Sequence, residues 1–336
     1  MMPNANTTMA MARFTTKLVR IVFLVLFSPM LTSTAQNRPE IIDLQSRPVT
    51  VQATQSILWE ITKPGLEKPS YVYAILHLVP ADNFFIPAEI NHYIQFSDKL
   101  VMEVDPAEYD PDYLYRGAVP FDSTLDLIFD KKTFEKLENF VMDTLSPASQ
   151  GKLFNRYSPN ALARQIITDY CLGYLEKEEP IDYESYLAKA ISLPLKTLNT
   201  GWTRATWQED EFSIREQAVN LLFTIKEKDS LCVLYDEYLM AYRRQDLDAL
   251  SMLAQEVPDL GWNAHDFVEA RNRDWIKSLD WQLKRESLFI VVHAVQLPGE
   301  FGLLHLLRKA GYEVNPILLR IPPYKNDPQR YANPKK

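Results

Sequence analysis

Two histidines and one glutamate have the types and positions to do chemistry. His77 ends the apolar run that begins at Tyr71, and His293 ends the run that begins at Leu288. Each is followed by a loop, a proline near a helix start and a second apolar run, so that Tyr71–Asp105 and Leu288–Pro316 share one layout. Histidines at strand ends lie where α/β proteins tend to bind ligands. Glu103 stands near the end of the second run of the first segment. If the strands carrying His77 and Glu103 are parallel neighbours, imidazole and carboxylate lie side by side. Such a pair could bind a divalent metal or work as acid and base. On these two residues alone, a histidine capped by a carboxylate for structural reasons is the stronger reading.

Other chemistries have no footing. His92, His265 and His305 complete the five histidines, and no pair has the HExxH spacing that puts two zinc ligands on one helical face. There is no G-x-S-x-G elbow and no P-loop, and Gly299 with Gly302 is too little for a dinucleotide fingerprint. Cys171 and Cys232 are the only cysteines. They form no CxxC or CxxH group and so no cysteine zinc site. Two buried thiols are at least as good a reading as one bridge.

The elements that must position these residues follow from periodicity. Ser56–Ile61 reads as a strand, Pro64-Gly65 as a turn, Ser70–His77 as a strand, Ile86–Gln95 as a short helix and Lys99–Val104 as a strand. The middle, Ser123–Arg285, is mostly helical. Ser158 is an N-cap followed by Pro159. Asp182–Ala190 is a helix and Leu195–Leu198 a short strand. Amphipathic stretches follow at Glu209–Lys226, Ser230–Arg244 and Asp266–Arg285, with Leu, Phe, Met and Tyr at helical spacing that reads as core packing. Leu288–Val292 is apolar throughout, as a strand buried on both faces should be. Pro298-Gly299-Glu300 opens a helix that Gly311 closes, and Tyr312–Leu319 returns as a strand. The fold class is therefore α/β. A central sheet is flanked by helices, with two βαβ-like, pseudo-symmetric units and a long helical insertion between them.

The ends of the chain bound its setting. Arg13, Lys17 and Arg20 precede the apolar run Ile21–Phe27, and Ser33-Thr34-Ala35 supplies small residues, the pattern of a secretory signal peptide over residues 1–35. Ser28-Pro29 interrupts the run well short of the ~20 apolar residues of a membrane span. Residues 36–55 form an extended lead-in, 56–320 the domain, and 321–336 a tail rich in proline and polar residues. Removing the leader takes the net charge from −8 to −11, because it carries three basic residues and no acid. No basic patch remains for nucleic acid. The expected product is exported, periplasmic or extracellular, with no stable membrane span.

The ordered motifs resemble those of the TraB/GumN family, which includes PrgY and the TIKI metalloproteases. SILWEI, KPG, KPSYVYAILH and VMEVD match the family's LLWKI strand, its proline-glycine turn, KPSYLFGTMH and EVD. Ile181-Asp182 with Tyr186–Ala190, YRRQDLDAL at Tyr242–Leu250, RNRDW at Arg271–Trp275 and LPGEFGLLHLLRKAGY at Leu297–Tyr312 match later family segments. The resemblance covers Ser56–Leu319. It implies a sheet flanked by helices, and two G-x-x-H motifs facing one site that supports metal-dependent proteolysis.

Residue by residue, the resemblance is uneven. Ala74-Ile75-Leu76-His77 keeps the first histidine and loses its glycine and the following threonine. His293-Ala294-Val295-Gln296 has histidine where the family has glycine, and glutamine where it has histidine. Asn199 replaces a family glutamate, whereas Glu103, Arg271 and Asn272 are retained. Glutamine is a poor substitute for imidazole at zinc. His293 could supply the missing imidazole, although three residues of extended chain separate its Cα from that of Gln296 by roughly 10 Å.

Two functions are consistent with this pattern. In one, a metal-dependent peptidase or other hydrolase binds Mn, Co or Zn through His77, Glu103 and His293. Glu103, Arg271 and Asn272 then form the catalytic set, with Arg271 stabilising the oxyanion. In the other, the altered site is that of a pseudoenzyme. It captures a peptide or small molecule without catalysis, with Gln296 and Asn199 as ligand contacts.

Overall fold

A computed structural model describes residues 55–108, 124–144, 154–171, 180–198, 213–256 and 264–322. The expected leader, the lead-in before Gln55, Asn199 and the tail beyond Pro322 lie outside the described residues.

The strands are β1 (Leu58–Thr62), β2 (Ser70–Ile75), β4 (Lys99–Met102), β6 (Leu195–Thr197), β7 (Leu288–His293) and β8 (Glu313–Ile317), joined in the order β6-β4-β7-β2-β1-β8. β6, β4, β7 and β2 run parallel, and β1 is antiparallel to both β2 and β8. β2 (SYVYAI) and β7 (LFIVVH) are buried at every position. Their continuous apolar runs are what a strand covered on both faces requires. A two-stranded ribbon pairs β3 (Leu78–Val79) with β5 (Ile181–Asp182).

The two βαβ-like units interleave. β2 and β4, linked through helix α1 (Ile90–Gln95), have β7 between them. β7 and β8, linked through α9 (Leu303–Lys309), have β2 and β1 between them. The strands of His77 and Glu103 are thus not direct neighbours. The strand of His293 separates them and brings all three C-terminal ends together.

The intervening region holds α2 (Leu125–Ile128), α3 (Lys131–Thr144), α4 (Pro159–Cys171), α5 (Tyr183–Ala190), α6 (Ile214–Arg243), α7 (Leu247–Glu256) and α8 (Ala264–Leu283). The Ser158 hydroxyl caps α4 by accepting from the Ala161 N–H at 3.1 Å. The expected helices Glu209–Lys226 and Ser230–Arg244 merge into the single thirty-residue α6. Lys226–Asp229 contains no glycine or proline to break it. Ser213 and Glu216 form a capping box at its start. At its end Gln245 takes φ 60°, held by bonds from Ser56 Oγ and to the Leu319 carbonyl.

The main core surrounds the sheet. Leu125, Leu137, Phe154, Leu162, Ile166 and Leu221 form a second cluster among the intervening helices. Cys171 and Cys232 are bonded as a disulfide that ties α4 to α6, with Ile167, Tyr170 and Leu231 around it. The reading of two thiols gives way to the bridge.

Candidate functional site

The register of the parallel strands builds the site. Ile75 of β2 lies opposite His293 of β7, and Met102 of β4 opposite Val291. His77 therefore emerges just past the end of β2, and Glu103 just past the end of β4. The rings of His77 and His293 stack, with centroids 4.3 Å apart and planes 18° from parallel.

Glu103 faces away from metal chemistry. One of its carboxylate oxygens accepts the His293 backbone N–H at 2.7 Å. The other pairs with Arg271 Nη1 at 3.0 Å, with only 3% and 4% of the two side chains exposed. The Arg271 guanidinium also lies 4.9 Å over the Trp275 ring. Asn272, fully buried, donates from Nδ2 to the carbonyls of Gln296 and Phe301. It thereby clamps both ends of the loop that follows β7. The side-chain oxygens of Asn272 and Gln296 are buried and accept no hydrogen bond from any described residue.

His77 takes a different carboxylate, one that the sequence reading passed over. Its Nδ1 lies 3.0 Å from Glu184 Oε2. The path to that contact is local. The β3–β5 ribbon returns the chain beside His77, and the Tyr183 N–H donates to the His77 carbonyl at 3.0 Å. Asp182 then caps α5 by accepting from Ser185 N, which places Glu184 in the first turn, where the helix dipole favours an acid. Glu184 lies between the two matched motif pieces of its segment, and its type alone gave no signal.

Tyr238 is the other addition. Its hydroxyl lies 3.5 Å from His293 Nε2, at the long edge of hydrogen bonding, and its ring is nearly parallel to that of His293 at 6.4 Å. Tyr235 and Tyr242 on the same helix donate to the carbonyls of Leu78 and Ala74. The tyrosine stripe of α6, which reads as core packing, is also the polar backing of the site. Burial raises the Tyr238 phenol well above its ordinary range, with Tyr235 a lesser cause, so it stays neutral.

The sites of the lost glycines are unstrained. Neither Ala74 nor His293 has positive φ; among described non-glycine residues only Gln245 does.

The donor set does not fit a metal. The lone pairs of the stacked His77 and His293 rings lie in two separate, nearly parallel planes, so one ion cannot lie in the plane of both rings as good coordination by two imidazoles requires. Both Glu103 oxygens are already engaged, one by a cation. Among the described residues no group of three or more His, Cys, Asp or Glu side chains is arranged to hold an ion.

The profile of the TraB/PrgY/gumN family matches residues 57–316. No curated protein and no solved structure matches the chain. The match spans the sheet up to Pro316, one residue short of the end of β8, and every described residue of the site, and the chain belongs to the TraB/PrgY/gumN family.

Proposed function

We propose that the chain is an exported member of its family that captures a peptide or small molecule at the C-terminal edge of the sheet, without a bound metal. The observation that carries this reading is the engagement of Glu103 by Arg271 and the His293 N–H. The carboxylate that would complete a ligand set instead neutralises a buried cation and fixes the end of β7. The His77 side chain, 16% exposed, is the member of this constellation most open to a ligand. Calorimetric titration with Mn, Co and Zn tests the metal half, and fluorescence anisotropy with labelled random peptide pools tests capture. The expected result is no metal binding at micromolar concentration and saturable peptide binding that a chelator leaves unchanged. Micromolar metal affinity abolished by His77→Ala would overturn it.

One observation favours the second reading, metal-dependent hydrolysis. A carboxylate on the far nitrogen of a histidine, as Glu184 is on His77, is the usual support of a metal ligand. That reading requires Arg271 to release Glu103.

A further inference from the structure

We propose that the Glu184–His77 pair is a metal-independent general base, and that the site at the C-terminal edge of the sheet hydrolyses a carboxylic ester or similarly activated carbonyl compound. This rests on the capture reading above, since the carbonyl compound must first be held, and adds an activity to it.

The geometry has three parts. First, Glu184 Oε2 lies 3.0 Å from His77 Nδ1. An ionised carboxylate there accepts the Nδ1 hydrogen, so the lone pair of the imidazole resides on Nε2. The same carboxylate stabilises the imidazolium formed when Nε2 takes a proton. Second, the pair is fixed by more than its own hydrogen bond. The Tyr183 N–H to His77 carbonyl bond and the Asp182 cap hold the backbone on both sides, and the His293 ring covers one face of His77 at 4.3 Å. A base locked in this way loses little on reaction. Third, the His77 side chain is 16% exposed, against 4% for Glu184 and for Arg271 and 3% for Glu103. Of these groups, His77 is the one that a water molecule reaches most readily.

The step balances without a further reactant. His77 Nε2 takes a proton from water as the water oxygen bonds to the carbonyl carbon and the π pair moves to the carbonyl oxygen. The tetrahedral intermediate collapses, breaking the bond to the alkoxy group, which leaves with the proton returned from Nε2. An acid and an alcohol result, with no change of oxidation state. The substrate class follows from the electrostatics. Among the described residues the cation beside the site, Arg271, is already paired with Glu103, and strong polarisation of the carbonyl is not available from it. An ester, whose leaving group departs readily, fits this site better than an amide.

The test uses the purified chain with p-nitrophenyl butyrate in the presence of EDTA. It compares wild type, His77→Ala, Glu184→Gln and, as an exposed-histidine control, His305→Ala. Saturable turnover in EDTA is expected, unchanged in His305→Ala. His77→Ala should lower kcat/KM by about 10²–10⁴-fold, the usual worth of general base catalysis. Glu184→Gln preserves shape and should lower kcat with KM retained, which a purely structural role would not produce. If His77→Ala fails to fold, Glu184→Gln decides. The proposal is overturned by absence of turnover, by activity equal to wild type in either site variant, or by activity that EDTA abolishes and zinc restores. Peptide binding without ester turnover would overturn the hydrolysis and leave capture standing, whereas loss of both would remove capture as well.

Discussion

Arg271 and Glu103 form an ion pair at 3.0 Å that is almost wholly sealed from solvent. It joins α8 to the end of β4 and, through the second carboxylate oxygen, to the His293 backbone. Taking both charges out of water is costly, and the pair persists because each partner compensates the other. Removing one should be far worse than removing both. We expect Arg271→Met to cost about 3–5 kcal/mol, and Arg271→Met with Glu103→Gln, which keeps an acceptor for the His293 N–H, to recover most of that loss. Urea denaturation of the single and double variants gives the coupling. Equal losses in single and double variants would show that packing, not charge, holds this junction.

The Cys171–Cys232 bridge closes a separation of 61 residues between two helices. A crosslink of that span restricts the unfolded chain by about 4 kcal/mol in the chain-entropy account. Cys171→Ala with Cys232→Ala should therefore lower the melting temperature clearly, and wild type unfolded in reductant should fall to the same stability. Thiol titration of the denatured, unreduced chain is expected to find no free thiol. Two titratable thiols there would contradict the bridge.

What was legible in the sequence was whatever depends on local pattern. The runs at Tyr71 and Leu288 announced the two central strands, because burial on both faces demands uninterrupted apolar residues. Gly311 announced the end of α9, since its φ of 86° is a left-handed conformation. What stayed hidden depends on order across the sheet. Nothing local places β7 between β2 and β4, and without that order Glu103 looked like the partner of His77. The true partner, Glu184, arrives through a two-residue ribbon too short to carry a periodic signal. Tyr238 was hidden for another reason: at helical spacing a tyrosine in the core and a tyrosine whose hydroxyl meets a histidine look alike.

The start of α9 also departs from its sequence reading. Pro298-Gly299-Glu300 does not open the helix but turns back on it, with Gly299 at φ 85° and Gly302 as the N-cap of α9. The Gly302 backbone has ordinary dihedrals, so the demand for glycine here is steric. A Cβ would sit 2.1 Å from the Pro298 carbonyl oxygen and 2.3 Å from that of Leu297. Both obstacles are backbone and cannot swing aside. Gly302→Ala should destabilise by about 3 kcal/mol, the upper end of the range for overpacking, as read from chemical denaturation. A loss below about 0.5 kcal/mol, the scale of a neutral surface change, would mean that the loop shifts freely.

Acid sensitivity should be traceable to Asp98. One carboxylate oxygen accepts from Lys68 Nζ at 2.8 Å, and the other accepts the Ser287 N–H at 2.9 Å. The Lys68 hydrogen bond, then that of Ser287, holds the carboxyl below its ordinary value of 3.8. The folded value lies below the unfolded one, so the associated stability is fully present above the unfolded value. It is lost as the pH falls through the folded value. Asp98→Asn should therefore be less stable than wild type near neutrality, and the gap should close as the pH drops below 3.8. The side chain is 42% exposed, so solvent screens the Lys68 part and the effect is modest. Salt should reduce that part and spare the hydrogen bond to Ser287, which anchors the strand start of β7. Urea midpoints of both proteins across the acid range, at low and high salt, measure this. A gap that stays constant with pH would assign the effect of the substitution to packing and remove Asp98 from the acid response.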